Sequence, residues 1–477
     1  MPPLIKNIGV LVGLLASFLI SPALSAQTIS SKPNVLFVVV DDMNDWTTLF
    51  NRNNPIRTPH LERLAQRGVF FDRAYAASPA CNPSRAAILN GVRPHRSGVY
   101  NNASDWRSSP IKGTGILPKI FKDNGYFVAG AGKIFHHHDN WRFHDNSAFH
   151  EFLMMRINEP YPEQKLNGLP EYGSRNTDWG PWPENIEDTA DYKTVDFAAR
   201  FLARKHTQPF FLAVGIYKPH SPFFAPAPFF DAYPLADTKL PSRLDGDLDD
   251  VPEDGRRMLA PTDWFWEGMA EAEERKPGSW REFVRAYQAS SSFADEMIGR
   301  LLDGLDASGQ RDNTIIVLWS DHGFHLGEKN RIEKFGLWEK TTRVPYILVV
   351  PGLTKAGSRI SQPVDLMTIY PTLLELAGIP IPEQSDGFSL RAFLQNGGEL
   401  PPALMSYQQG NHAVRKDHWR YIRYADGGEE LYDHRVDPSE LRNLAAQRRY
   451  SAVLRALRQH LPETSAVAVP ELEVTER

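Results

Sequence analysis

Asn34-Val35-Leu36-Phe37-Val38-Val39-Val40 runs without a polar residue from its second position and ends on Asp41-Asp42. A short apolar, β-branched run of this kind predicts a strand buried on both faces, as in a parallel sheet. Outward from it, helix and strand signals alternate. Thr58-Pro59-His60-Leu61-Glu62-Arg63-Leu64-Ala65 reads as a helix, with Thr58 as its cap and Pro59 in the first turn. Helices at Ala198 to Lys205 and Glu296 to Leu305 each precede a strand, Pro209 to Ile216 and Thr314 to Trp319, and Tyr346 to Val350 is a further buried strand. The alternation predicts a doubly wound α/β sheet rather than a helical bundle or a β-sandwich.

With 477 residues, 42% of them hydrophobic and 11% aromatic, the chain can bury a large core, which excludes wholesale disorder. Its net charge of -5 is spread over 58 acidic and 53 basic residues without long single-sign blocks, so nothing in the charge predicts nucleic-acid binding. Lys6, the apolar run Ile8 to Ile20 and the small residues Pro22-Ala23-Leu24-Ser25-Ala26 read as a signal peptide over 1-26. The mature protein is expected to be exported, periplasmic or extracellular, with no membrane span after cleavage. Residues 221 to 265, rich in proline and aspartate, read as a long surface excursion that shapes a pocket. Gln395-Asn396-Gly397-Gly398 marks a boundary, beyond which short alternating strands (Ala413-Val414-Arg415 and Trp419 to Tyr424) lead to a closing helix at Ser451 to His460.

Two predicted strands end in pairs headed by aspartate, Asp41-Asp42 and Asp321-His322. Ligands of open α/β sheets collect at the carboxyl ends of strands, and three carboxylates there would need a hard cation such as calcium or magnesium. Each pair taken alone equally suits a helix or turn cap. Cys81, the one cysteine, cannot form an internal disulfide and by itself reads as a small buried hydrophobe. Its setting argues otherwise. Cys81-Asn82-Pro83-Ser84-Arg85, with Gly91-Val92-Arg93-Pro94 after it, resembles the Cys-x-Pro-Ser-Arg signature of the type I, formylglycine-dependent sulfatases. The resemblance continues in order. Val35 to Asp42, Thr58-Pro59-His60-Leu61, Gly130-Ala131-Gly132-Lys133-Ile134-Phe135-His136, Lys218-Pro219-His220, Ser320-Asp321-His322-Gly323, Lys334, Arg343-Val344-Pro345 and Leu431-Tyr432-Asp433 all have counterparts there. His60 stands where asparagine is usual, and His136 follows Lys133 by three residues rather than two. That spacing and His322 are most similar to the iduronate-2-sulfatase branch.

The resemblance implies an alkaline-phosphatase-like α/β fold with a mixed sheet, a catalytic domain over 27-395, and a C-terminal α+β subdomain over 396-477 built on a small antiparallel sheet and a helix. It implies that Cys81 is oxidised to formylglycine by a dedicated maturation enzyme, and that Ca2+ is held by Asp41, Asp42, the modified Cys81, Asp321 and His322. Arg85 would steady the nucleophile and the carboxylates, and Lys133 and Lys334 would clamp sulfate. His220 would protonate the leaving oxygen, and His136 would take the proton whose loss expels sulfate. Of the tract His136-His137-His138 only the first keeps the family's register, and His95, Arg96, Lys218, His325 and Lys329 carry no assigned role. The implied substrate is a sulfated glycan, with a 2-O-sulfated uronate suggested by the branch. The rival readings are a phosphodiesterase or phosphonate monoester hydrolase of the same superfamily, and an inactive secreted glycan-binding homologue.

Overall fold

The computed structural model describes residues 32–111, 113–136, 145–154 and 160–472. The predicted signal peptide, His137 and His138 lie outside them. In chain order the framework is β1 (Asn34–Val40), α1 (Pro59–Ala65), β2 (Val69–Phe71), α2 (Cys81–Asn90), β3 (Phe127–Gly132), β4 (Glu151–Leu153), α3 (Ala190–Leu202) and β5 (Phe210–Ile216). There follow α4 (Ser279–Ala307), β6 (Thr314–Ser320), β7 (Tyr346–Val349), β8 (Ser358–Ile360), α5 (Ile369–Leu376), β9 (Ala403–Ser406), β10 (His412–Lys416), β11 (Trp419–Arg423), β12 (Glu429–Asp433) and α6 (Ser451–Arg458). The first eight strands form one mixed sheet in the order β8-β2-β7-β6-β1-β5-β3-β4, in which only β7 runs against its neighbours. The fold is the alkaline-phosphatase-like α/β architecture expected from the sequence.

The all-apolar reading of β1 has a direct structural cause. Leu36, Val38 and Val40 enter one core cluster with Ala198 and Phe201 of α3 and Met297 and Leu301 of α4. Val35, Phe37 and Val39 enter the cluster on the other face, with Ile88 of α2 and Leu373 of α5. Burial on both faces removes any place for a polar side chain, and each such side chain contributes roughly 1.5–3 kcal/mol.

Several elements differ from the sequence reading. Thr58 does precede α1, but its side chain caps nothing in the helix. Asp295 of α4 does so instead, its two carboxylate oxygens accepting from His60 N at 2.9 Å and Leu61 N at 2.8 Å. A tertiary cap of this kind leaves no local sequence mark. The helix α3 begins at Ala190 rather than Ala198, and α4 at Ser279 rather than Glu296, the added stretches mixing polar residues with buried apolar ones. Residues 221 to 265 are not a bare excursion: Phe223–Ala225 is a buried strand and Glu253–Leu259 a helix.

Strands β9 to β12 form a separate antiparallel sheet in sequence order. On one of its faces Val414, Tyr421 and Leu431 meet Leu454 and Leu457 of α6. On the other, Met405, Ala413, Ile422 and Tyr432 meet Tyr75, Ala80, Leu337 and Trp338 of the large domain. The small sheet thus backs the residue immediately before Cys81 and the segment just after Lys334.

Candidate active site

Parallel register brings the ends of three strands level: Val40 of β1 pairs with Ile216 of β5 and with Ser320 of β6. The next residues, Asp41, Tyr217 and Asp321, therefore leave the sheet at one edge. Asp42 turns back with φ 60, a left-handed conformation that Asp tolerates better than most residues. Tyr287 of α4 holds this turn, donating from its hydroxyl to Asp42 O at 2.7 Å and accepting from Asn44 N at 3.0 Å. On the next strand Gly132 has φ 77, and a Cβ there would lie 2.0 Å from Gly215 O. Only glycine permits this close turn, which carries Lys133 towards Asp41.

Cys81 is the first residue of α2, at the positive end of a helix whose residues from Cys81 to Leu89 are all buried. Its Sγ lies 3.1 Å from His322 Nε2, 3.3 Å from Lys334 Nζ and 3.9 Å from Lys133 Nζ. Burial pushes the thiol up, but Lys133, Lys334 and His322, with a hydrogen bond to His136, outweigh it and hold Cys81 well below the ordinary thiol range. Arg85, one turn along α2, donates through Nε to Asp321 Oδ2 at 2.7 Å and through Nη2 to Asp41 Oδ1 at 3.1 Å, and it also reaches the backbone oxygen of Lys133. Ser84 Oγ donates to Asp321 O at 2.6 Å, fastening α2 to the end of β6.

The carboxylates exceed the charge that Arg85 supplies. Burial raises Asp41, but Lys133 and Arg85 outweigh it and keep it well ionised. Burial dominates at Asp321, which is pushed up to about 7 despite Arg85. Lys133 is ion-paired with Asp41, and Lys334 with Asp42 at 2.9 Å, yet Asp42 Oδ2 remains buried without a hydrogen-bond partner among the described residues. His322 Nδ1 sits 2.9 Å from Gly323 O, a carbonyl that can only accept. Nδ1 thereby carries a ring hydrogen and Nε2 faces inward; burial opposes the charged ring, but Asp321 and Cys81 push its pKa up to about 9, so Nε2 becomes a ligand only when a cation displaces its proton. Ligand atoms of Asp41, Asp42, Cys81 and His322 all lie within 4.8 Å of one another, and Asp321 Oδ2 is 3.7 Å from His322 Nε2. The orphaned carboxylate oxygen and the oxygen-rich donor set fit a hard dication.

His136 reaches the same pocket from the end of β3, and His220 acts electrostatically on Asp41 from the segment after β5. His220 Nδ1 is 2.7 Å from Ser221 O, which assigns its hydrogen and leaves Nε2 as the free end of the ring. All the site residues expected from the sequence thus converge. Of those without a role, Arg96 pairs with Asp386, His95 stacks edge-on to His412 and Lys329 pairs with Asp247 at 3.0 Å, whereas Lys218 Nζ lies 4.9 Å from the Tyr217 ring.

Sequence reasoning missed Tyr217. Its ring stacks on His220 at 4.8 Å and lies 5.4 Å from Lys133 Nζ, so one aromatic surface spaces two of the functional groups. Its place just before Lys218-Pro219-His220 was the available signal.

Comparison with known proteins agrees with this geometry. Residues 33–379 match the family model described as sulfatase, and residues 327–466 match that of the N-sulphoglucosamine sulphohydrolase C-terminal region. A sulfatase of Formosa agariphila is 37% identical over 91% of this chain and 87% of its own length. Human iduronate 2-sulfatase is 30% identical over 80% of this chain and 76% of its own. Among solved structures, a phosphonate monoester hydrolase from Silicibacter pomeroyi superposes with a TM-score of 0.73 at 23% identity, covering 90% of this chain and 94% of that one, a likeness of fold. The chain belongs to the type I sulfatase family and is a sulfuric ester hydrolase.

Proposed function

We propose that the protein hydrolyses sulfate esters of a carbohydrate at the Cys81 pocket, with Cys81 matured to formylglycine and calcium bound by Asp41, Asp42, Asp321 and His322. The observation that carries this reading is the position of Cys81 Sγ, buried at a helix N-terminus within 3.9 Å of two ammonium groups and an imidazole. Formylglycine at position 81 would supply a hydrated-aldehyde oxygen as nucleophile, which a thiol or serine hydroxyl does not offer. A dication among the aspartates would polarise a sulfate oxygen and take over charge balance from Lys133 and Lys334.

The chain's own residues do the rest. Lys133 and Lys334, both within 3.9 Å of Cys81 Sγ, hold the sulfate oxygens in a buried site where such contacts act strongly. His220, with Nδ1 committed to Ser221 O, presents Nε2 to protonate the leaving oxygen. His136, hydrogen-bonded towards position 81, receives the proton whose departure releases sulfate. Arg85 holds Asp41 and Asp321 in place by two hydrogen bonds, so that they stay fixed during turnover.

The carbohydrate substrate is supported by the iduronate 2-sulfatase relative and the Lys133-x-x-His136 spacing, which favours a 2-O-sulfated uronate. Export to the periplasm or the medium is supported by the N-terminal segment, and among the described residues no helix is long and apolar enough to cross a membrane. We place the catalytic domain at 27-395 and the subdomain at 396-477, a division supported by the separate β9–β12 sheet. Turnover of an aryl sulfate against an aryl phosphodiester and a phosphonate monoester tests the activity. Preference for the sulfate is the expected result; a strong preference for either phosphorus ester would overturn it.

A further inference from the structure

The segment that follows β5 is held more tightly than a simple turn requires. Asp191, buried in the first turn of α3, accepts from Tyr217 N at 2.7 Å and from Lys218 N at 2.9 Å. Its carboxylate fixes the point where the chain leaves the sheet, through bonds that are roughly twice as strong as neutral ones. His220 N then donates back to Tyr217 O at 2.9 Å and closes a four-residue turn. The backbone that carries His220 is thus tied at both ends to Tyr217 and its anchor.

The side chains meet as well. The Tyr217 and His220 rings stack with centroids 4.8 Å apart and 27° between their planes. The Tyr217 hydroxyl donates to Ser221 O at 2.8 Å, the same carbonyl that takes His220 Nδ1 at 2.7 Å. A carbonyl oxygen has two lone pairs, and these two donors use both. The second torsion of a histidine side chain is broad when nothing opposes it. Here one ring nitrogen is committed and one ring face is covered, so a single orientation of Nε2 remains. Tyr217 is itself 6% exposed, with Lys133 Nζ 5.4 Å from its ring, so this clamp stands beside the Cys81 pocket.

We propose that Tyr217 is a positioning residue for sulfate-ester cleavage: its ring and hydroxyl hold His220 so that Nε2 is aimed at the leaving oxygen. This rests on His220 being the proton donor of the function proposed above and deepens that reading. In the step concerned the S–O bond breaks with its electron pair passing to the alcohol oxygen, which takes the Nε2 proton of the imidazolium. General acid catalysis is worth about 10²–10⁴-fold, and a misplacement of about 1 Å can forfeit about 10²-fold. The contribution grows with the basicity of the departing oxygen, because a stable phenolate leaves without a proton. Tyr217 therefore matters most for poor leaving groups, a dependence that a residue supporting only the fold would not show.

The test measures kcat/KM of the matured, calcium-loaded wild type, Y217F, Y217L and H220A on aryl sulfates whose leaving phenols run from a nitrophenol to unsubstituted phenol. The readout is the slope of log kcat/KM against the phenol pKa on one preparation, so loss of folded protein cancels. H220A should steepen the slope most. Y217L should steepen it in the same direction, losing about ten-fold more on phenyl sulfate than on nitrophenyl sulfate. Y217F keeps the stacked ring and should recover most of that difference. A Y217L that loses the same factor on every substrate, while H220A steepens the slope, overturns the Tyr217 assignment alone. Equal slopes in wild type and H220A overturn the acid role of His220, and this inference falls with it.

Discussion

Two buried clusters of charge lie on either side of the Lys334 segment, and by side-chain spacing alone each could hold a metal ion. One is the Cys81 pocket. The other is the seam with the small sheet, where Glu339, His434 and Glu440 converge. In the seam the carboxylates are closed by their own partners. Glu339 takes Arg420 at 2.6 Å and Arg415 at 3.4 Å, and Glu440 takes Arg420 at 2.7 Å and His434 at 2.9 Å. Arg420 further donates to Leu337 O at 2.7 Å, which ties the small sheet to the chain three residues beyond Lys334. In the pocket an oxygen of Asp42 has no hydrogen-bond partner among the described residues, and Asp321 is pushed towards neutrality. A charge cluster that neutralises itself holds a fold together; one left open is prepared for something it must bind.

The contrast can be broken by substitution. Cys81→Ala should abolish sulfate-ester turnover by about 10⁴-fold or more and leave the melting temperature nearly unchanged, which activity assays and a thermal scan would check. Lys334→Ala should lower kcat/KM by about 10²–10³-fold, through one lost electrostatic contact to the transition state. Arg420→Ala should do the reverse in kind. It strands Glu339 and Glu440, costing about 3–5 kcal/mol of stability in denaturant unfolding, while the folded fraction keeps its response to calcium.

Metal addition separates the clusters directly. Calcium at a hundred times its dissociation constant should stabilise the protein by about 2.7 kcal/mol, and Asp42→Asn should remove that gain while Glu440→Gln retains it. The smallest effect is in acid. Burial raises Glu339 and Glu440, but His434 and Arg415 outweigh it at the first and Arg420 at the second, so both are held below the ordinary 4.5. A depressed folded pKa gives stability that is complete above pH 4.5 and is lost as pH falls below it. Urea unfolding between pH 6 and 3 should show this slope, and Arg420→Ala should flatten it.

Much of this was legible in the sequence, for reasons that the structure explains. β1 announced itself because both its faces are buried, and Asp41 and Asp321 because parallel strands in register end together. Cys81, Arg85 and Lys133 could be placed because each sits in a short ordered motif. What stayed hidden depends on distant partners. Asp295 caps a helix 235 residues away, and Tyr287 holds the Asp42 turn across 245 residues. The seam unites Glu339 with Arg420 across 81 residues, and nothing local in either segment marks the pairing.

On the function proposed above, Cys81 becomes the nucleophile in a pocket that binds sulfate. Mass analysis of the Cys81 peptide from protein made in its native host, on the same samples assayed for aryl sulfate turnover, tests it most directly. Formylglycine at position 81, with turnover that scales with its fraction, is the expected result. Full activity in protein whose Cys81 is wholly unmodified would contradict it.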